Sequence, residues 1–300
     1  MISGIINIYK EKGYTSHDVV AKMRGILKQK KIGHSGTLDP EAEGVLPVCL
    51  GSGTKLCDML TDKSKTYETT LLLGKTTDTQ DITGAVLAQK KVEVPVSEVE
   101  QAILTFVGNY DQIPPMYSAL KVQGKKLYEL AREGKTVERQ PRPVQIYDIV
   151  IKKVELPEIV MSVSCSKGTY IRTLCHDIGE KLGCGGCMKT LLRTRVGLFE
   201  VSDSLTLTQV EEAMKENRLG EIVVPVDRMF PELPRVHVTQ EGQRFLDNGN
   251  PLSADQLAEK VDPKQTKACR VYDTEDHFRA IYQWKERMRK YAPEKMFPES

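Results

Sequence analysis

The sequence predicts an α+β fold, with a mixed, largely antiparallel sheet flanked by helices and a small β-rich C-terminal module. Segments with the two-residue alternation of strands and segments with the apolar stripe of helices follow one another without a strict β–α–β repeat. Adjacent strand segments often look hairpin-connected, which favours antiparallel pairing. The 300 residues are 40% hydrophobic, enough for one large domain or two smaller ones, and no apolar run is long enough to span a membrane.

The first elements lead into a glycine-rich segment. Alternation predicts a strand over 4–9, and a short apolar run predicts a buried strand over 46–50. A helix between them begins at Thr15, which can form a capping box with Asp18. Its apolar stripe is made by Val19, Val20, Met23, Ile26 and Leu27. The helix therefore delivers the chain into residues 33–51, GHSGTLDPEAEGVLPVCLG.

The middle of the chain mixes strands and helices. Strands are predicted over 67–73, 141–151 and 159–168, and helices over 126–132 and 169–182. Ser97 with Glu100 predicts a capped helix through Val107, and Thr208 with Glu211 predicts another. These elements complete a first domain over 1–231.

The composition changes around residues 231–234, where prolines suggest a linker. A short helix over 239–246 and strands over 268–272 and 278–284 follow. The sequence thus predicts a separate module over 232–300, near the lower size limit of a domain that folds alone.

The basic residues are clustered although the net charge is only +2. One cluster comprises Lys22, Arg24, Lys28, Lys30 and Lys31, without an acidic residue between them, and a looser one covers 121–142. Such clusters on a near-neutral protein are typical of an anionic partner such as a phosphate backbone. A solvated lysine-rich face is an equally good interpretation of either cluster alone.

The glycine-rich segment presents one carboxylate. Glycines at 33, 36 and 44 permit φ > 0 and close approach of a ligand. Asp39 precedes Pro40, which restricts Asp39 to extended or turn backbone and can hold its carboxylate out from the loop. An Asp-Pro pair alone is more often a turn than a catalytic group.

A metal site is not predicted. Cys175, His176, Cys184 and Cys187 lie within or just after a predicted helix rather than on two knuckles, which argues against zinc. Seven cysteines without framework spacing indicate reduced thiols, and the N-terminus lacks a signal-peptide pattern. We therefore expect a cytoplasmic protein.

Several segments, in this order, resemble the TruB family of tRNA pseudouridine synthases. They are KEKGYTSHDVV (10–20), GHSGTLDPEAEGVLPV (33–48), KTYETTLLLGKTTDTQDITG (65–84), IPPMYSALKVQGKKLYELAREG (113–134), CSKGTYIRTLCHDIGEKLGCG (165–185) and LLRTRVG (191–197). GHSGTLDP followed by GTYIRTL is highly specific, and the matches span most of residues 4–230. The C-terminal module resembles the PUA domain of this family more weakly.

The resemblance implies roles for three catalytic residues. Asp39 matches the catalytic aspartate that acts on the target uridine, either through ribose chemistry or by attack on the uracil ring. Arg172 matches the arginine that pairs with this carboxylate, which would keep it ionised and fix its direction. Tyr67 matches the tyrosine that stacks on the flipped uracil and is suspected of the final proton abstraction at carbon 5.

The resemblance also implies RNA contacts. His34 matches a histidine that enters the RNA loop and replaces the displaced base, and Asp81 a polar residue near the target. Leu191 matches an apolar residue that lines the uracil pocket, and Tyr170 lies beside Arg172. Lys10, Lys30 and Lys31 are further RNA-binding candidates, and residues 113–142 resemble a thumb-like insertion that clamps the stem-loop.

The implied activity is conversion of uridine to pseudouridine at position 55 in the T-arm loop of tRNA. The isomerisation requires neither metal nor organic cofactor. We expect a monomer with no membrane association and no obligatory protein partner. A tRNA-folding chaperone and the catalytic subunit of a guide-RNA particle are the alternatives; the start of the chain almost directly at the first motif disfavours the particle.

One position departs from the family pattern. The family commonly has Lys-Pro followed by Gly, whereas this chain has Lys10-Glu11-Lys12-Gly13. Glu11 lacks the ring that stiffens this loop and adds an acid, so the geometry of the loop that supports the catalytic segment is in question.

Overall fold

The structure is a computed structural model that describes residues 1–122 and 124–298. The strands of the larger part are β1 (Gly4–Lys10), β2 (Ile32–His34), β3 (Glu43–Leu50), β4 (Lys65–Leu73), β5 (Lys75–Thr77), β6 (Val86–Gln89), β7 (Gly108–Gln112), β8 (Lys121–Val122), β9 (Lys125–Lys126), β10 (Arg142–Glu155), β11 (Glu158–Cys165), β12 (Gly186–Val196) and β13 (Phe199–Glu200). The C-terminal strands are β14 (Arg235–His237), β15 (Ala268–Tyr272), β16 (Phe278–Lys285) and β17 (Lys290–Met296). The helices are α1 (Ser16–Leu27), α2 (Cys57–Thr61), α3 (Val96–Leu104), α4 (Leu127–Arg132), α5 (Ile171–Lys181), α6 (Leu207–Lys215), α7 (Leu219–Ile222) and α8 (Gln240–Asp247).

A large sheet organises the first part of the chain. Its strand order is β1-β3-β12-β4-β11-β10-β7, with β2 beside β3 and β13 beside β12. β3 and β12 are parallel, and the other neighbours are antiparallel. The α+β class with a mixed, largely antiparallel sheet is therefore confirmed.

Helices pack against the sheet through two apolar clusters. Side chains of β4 and β11 pack with α3 and α5 in one cluster, and side chains of β1 and β3 pack with α1 and α6 in the other. β4 could be predicted from its sequence because its residues alternate between buried and half-buried along the whole strand. The pairs β5–β6 and β8–β9 form small separate ribbons.

One of the three predicted caps is confirmed. Thr15 and Asp18 form the capping box of α1. α3 instead begins after Pro95 without a side-chain cap and ends at Leu104, before Val107. α6 begins after Thr206, whose capping partner is Gln209, so the predicted start at Thr208 was wrong. Both errors have one cause. The predicted start relied on a Ser/Thr–Glu spacing, whereas an earlier residue has the extended backbone of an N-cap and begins the helix.

β12 was not predicted, although it lies at the centre of the sheet. Two register shifts against β4 interrupt its side-chain alternation, and its sequence carries polar residues on a buried strand. Its parallel contact with β3 depends on Gly44, which has φ +103° and whose added Cβ would stand 2.3 Å from the Arg193 carbonyl oxygen. Gly36 also has positive φ, whereas Gly33 lies in β2 and does not use this freedom.

The C-terminal strands form a second sheet in the order β14-β15-β16-β17. β17 was not predicted. The sheet shares an apolar cluster with the first part, in which Phe230, Ile281 and Phe297 pack with side chains such as Ile5 and Val45. The β-rich C-terminal module is confirmed, and a domain boundary at residue 231 stays a prediction. Among the described helices, none has the length and apolarity needed to cross a membrane.

Candidate active site

A carboxylate and a guanidinium meet above the middle of the large sheet. Asp39 lies in the loop between β2 and β3, and Arg172 lies in the first turn of α5. Arg172 Nε stands 2.9 Å from Asp39 Oδ2, and Arg172 Nη2 donates to Asp39 Oδ1 at 3.3 Å. The side chain of Arg172 is 6% exposed and that of Asp39 is 40% exposed, so the carboxylate remains reachable while its partner is hidden.

Three segments fix the direction of Arg172. Its Nη1 donates to the Thr79 carbonyl (3.0 Å) and its Nη2 to the Tyr117 carbonyl (2.8 Å). Asp81 approaches Arg172 Nε at 3.9 Å with its Oδ2. The other oxygen of Asp81 accepts hydrogen bonds from Thr79 and Thr83. A guanidinium held by so many acceptors can rotate very little, so it presents a fixed fork to Asp39.

The loop of Asp39 is also held from several sides. The Leu38 N–H donates to Ser16 Oγ at 2.9 Å, and Ser16 is the buried first residue of α1. The Pro40 carbonyl accepts from Lys10 Nζ (3.1 Å) and from the Gly13 N–H (2.9 Å). The loop around Glu11 is therefore tied to the loop of Asp39, even though Glu11 lacks the ring of a proline.

Tyr67 and Leu191 belong to an apolar cluster that also reaches the loop of Asp39. Tyr67 on β4 is 8% exposed, and Leu191 on β12 packs half-buried against the same apolar cluster, which also contains Leu38. Burial raises the pKa of the Tyr67 phenol above its ordinary value, and the nearby Arg193 opposes that shift.

His34 and Tyr170 lie at the ends of elements that border the site. His34 closes β2 and is half-buried; its Nδ1 accepts from the Gly36 N–H at 3.3 Å, and its ring meets the His17 ring edge-on. Burial lowers the pKa of His34, which leaves a neutral imidazole at pH 7. The backbone of Tyr170 is clamped by the Gln112 amide at 2.8 and 3.0 Å.

The three predicted lysine contacts differ in exposure. Lys10 is fully buried, and its ammonium donates to the Glu11 and Pro40 carbonyls, so the structure shows it holding the loop. Burial lowers the pKa of Lys10 to about 8. Lys30 and Lys31 are exposed at the end of the segment after α1. RNA contacts by all three stay predictions.

Sequence reasoning missed two residues of the site. Ser16 anchors the loop of Asp39, and its only signal was its place in the segment KEKGYTSHDVV. Arg193 is 1% exposed and donates from Nε to the Val45 carbonyl at 2.7 Å and from Nη2 to the Gly36 carbonyl at 3.3 Å. Neither arginine in LLRTRVG carries a periodic signal of burial, so only the fold could reveal that Arg193 is the buried one.

The arrangement is equipped for nucleophilic or proton-transfer chemistry by a carboxylate. Asp39 is directed by a buried cation and open to solvent, and its charge acts on the buried phenol of Tyr67. Within residues 1–122 and 124–298, no three His, Cys, Asp or Glu side chains gather as metal ligands.

Comparisons with known proteins agree with this geometry. Residues 24–171 match the model of the TruB family pseudouridylate synthase (N terminal domain), and residues 172–231 match that of the tRNA pseudouridylate synthase B C-terminal domain. A protein named tRNA pseudouridine synthase B from Lachnoclostridium phytofermentans is 56% identical, over 99% of this chain and 100% of that relative. One of the same name from Alkaliphilus oremlandii is 45% identical, over 89% of each chain.

Solved structures show the same fold. The crystal structure of a Cbf5-Nop10-Gar1 complex contains a chain with a TM-score of 0.72 and 27% identity, covering 98% of this chain and 85% of that one. An H/ACA RNP bound to a substrate RNA containing 2'-deoxyuridine gives a TM-score of 0.71 and 25% identity, with 99% and 85% covered. On the matched family models, the full-length relatives and the shared fold, this chain belongs to the TruB family of pseudouridylate synthases.

Proposed function

We propose that this chain converts uridine to pseudouridine at position 55 in the T-arm loop of tRNA, with Asp39 as the group that acts on the target nucleotide. Its full-length relatives are named tRNA pseudouridine synthase B, which supports tRNA as the substrate. The observation that carries the proposal is the two-point contact between Asp39 and Arg172, with contacts of 2.9 and 3.3 Å, beside a carboxylate that stays reachable. Such a pair holds the carboxylate in a fixed direction.

The other residues follow from this assignment. Tyr67 stacks on the flipped uracil and receives the proton from carbon 5, and Leu191 lines the same pocket. His34, neutral and at a strand end beside the loop of Asp39, fills the place that the flipped base leaves. Asp81 and Tyr170 border the target, and Lys10 keeps the loop of Asp39 in place.

The contacts that hold Asp39 and Arg172 come from several segments of the chain, including the Tyr117 carbonyl at the base of the proposed thumb-like insertion. The solved neighbours are chains of an H/ACA RNP and of a Cbf5-Nop10-Gar1 complex, but they are 25–27% identical, against 56% for a relative named as a tRNA enzyme. We therefore propose that the protein acts without a guide RNA.

The test is to incubate the purified protein with an unmodified tRNA transcript and with the isolated T-arm stem-loop, and to map pseudouridine in both. We expect modification at position 55 alone and none in transcripts that carry cytidine there. Pseudouridine at another position, or only after a guide RNA is added, would contradict the proposal.

A further inference from the structure

Arg193 is the largest fully buried side chain in the described part of the protein, and it stands beside Tyr67. The two residues are direct cross-strand partners in the β12–β4 pairing, so their side chains emerge on the same face of the sheet. On its other side Arg193 is paired with Gly44 of β3. Its guanidinium therefore lies between Tyr67 and the loop that carries Asp39.

The charge of Arg193 is not matched by a carboxylate. Its hydrogen bonds run to the Val45 and Gly36 carbonyls, none of the ion pairs among the described residues involves Arg193, and the Tyr67 side chain favours its charged form. Burial lowers the pKa of Arg193, yet an arginine stays protonated in a protein. Buried cations are normally paired because an unpaired one is costly.

The surroundings of Arg193 are positive as well. Its charge acts on Lys10 of β1, on Lys65 of β4 and on His34 of β2. Lys10 and Lys65 are both buried, and their ammoniums donate to backbone carbonyls. Of these cations, Arg193 is the one whose charge lowers the pKa of Tyr67.

We propose that Arg193 is a positioning residue for the isomerisation: it stabilises the phenolate of Tyr67, which takes the proton from carbon 5 of the rotated uracil. This inference rests on the proposed function and names a residue for its last step. The C–H electron pair moves into the ring as the proton joins the Tyr67 oxygen, and ring nitrogen N1 takes a proton from water. Tyr67 returns its proton to water before the next turnover, so atoms and charge balance.

The charges that face Tyr67 act in opposite directions. Burial raises the pKa of Tyr67 most strongly, Cys165 of β11 and Asp39 raise it further, and Arg193 lowers it. Removing the charge of Arg193 would therefore make the phenolate of Tyr67 harder to form.

The test uses a T-arm stem-loop whose target uracil carries deuterium at carbon 5. Single-turnover rates and stem-loop affinity are measured for the wild-type protein, Arg193→Gln, Arg193→Lys and the control Arg195→Gln, which changes the half-buried arginine further along the same strand. We expect Arg193→Gln to slow product formation about 100-fold, as loss of a well-tuned base does, with affinity changed less than about threefold. Its deuterium isotope effect should exceed that of the wild type, and its rate should recover as pH rises.

A second measurement covers the case in which Arg193→Gln does not fold. Tyr67 is replaced by 3,5-difluorotyrosine, whose phenol is more acidic, in the wild-type protein and in Arg193→Lys. With difluorotyrosine, the pH–rate profiles of the wild type and of Arg193→Lys should both move to lower pH. Arg193→Lys should also regain most of the rate that it loses with ordinary tyrosine. An arginine that only packs the loop predicts equal slowing at every pH, no added isotope effect and no rescue, and that result would overturn the inference.

The two proposals fail in different ways. If the wild-type protein forms no pseudouridine in the stem-loop, the proposed function is wrong. If the wild-type protein is active and Arg193→Gln shows the wild-type isotope effect and pH profile, the proposed function stands and the role of Arg193 is wrong.

Discussion

Arg172 uses its guanidinium to join the Asp39 carboxylate to carbonyls from two other segments of the chain. Lysine has one ammonium and cannot reproduce this planar fork. We expect Arg172→Lys to lower the single-turnover rate about 100-fold, because Asp39 loses its fixed direction, while stem-loop affinity changes less than about threefold. Rapid-quench kinetics and filter binding would measure the two effects.

Arg218→Lys is the matched control, since Arg218 is exposed and pairs with Glu216 and Glu221 after α6. It should leave both quantities unchanged. An Arg172→Lys protein that folds normally and keeps the wild-type rate would show that the pair does not direct the carboxylate.

Lys65, the first residue of β4 after the segment that follows α2, gives a prediction about how the free energy of unfolding depends on pH. Its ammonium is buried and donates to the Thr61 and Lys63 carbonyls. Burial lowers the pKa of Lys65 from 10.5 to about 8. Between these values the unfolded chain binds more protons than the folded protein, so the contribution of Lys65 to the free energy of unfolding rises with pH.

We therefore expect the free energy of unfolding of the wild type, relative to Lys65→Met, to increase by about 1–3 kcal/mol between pH 7 and pH 10. Urea unfolding at several pH values would measure this difference, in which the contributions of tyrosines and cysteines cancel. Lys63→Met, at an exposed neighbour, is the control and should show no such trend. A difference for Lys65→Met that stays constant with pH would contradict a buried, protonated Lys65.

The segment after α1 offers a prediction about RNA binding. Lys30 and Lys31 are exposed, and no acidic residue that the structure describes forms an ion pair with either ammonium. Replacing both with alanine should weaken stem-loop binding and reduce the slope of log affinity against log salt by about 1–2, since each phosphate contact releases about one counterion. Lys152→Ala with Lys153→Ala, whose ammoniums pair with Glu68 and Glu155, is the control. An unchanged salt slope would exclude Lys30 and Lys31 from phosphate contact.

Local signals explain which elements could be predicted from the sequence. α1 was predictable because its capping box and apolar stripe lie within a dozen residues of one another. β12 was not, because register shifts break its alternation and its buried positions include Arg193. The site is not local at all, since Asp39 and Arg172 are 133 residues apart. Only the family resemblance, and not periodicity, could indicate that they meet.

The whole molecule is held together by a cluster that both sheets share. Phe297 is 2% exposed and packs there with Phe230, Phe278 and residues of the first part. Phe297→Ala should lower the free energy of unfolding by about 3 kcal/mol and separate the single unfolding transition into two, because the C-terminal sheet loses its anchor. Calorimetry would measure both effects. Leu198→Ala, at a 62% exposed position, is the control. An unchanged single transition for Phe297→Ala would show that the two sheets do not depend on this cluster.

The most direct measurement is the single-turnover rate of Asp39→Asn on the T-arm stem-loop, together with its affinity. The amide keeps the size of the side chain but removes the charge that Arg172 faces. The assignment of Asp39 predicts no detectable pseudouridine and an affinity within about threefold of the wild type, because binding and chemistry use different groups. Asp58→Asn, an exposed acid on α2, should behave as the wild type. Turnover by Asp39→Asn at a rate near that of the wild type would contradict the assignment.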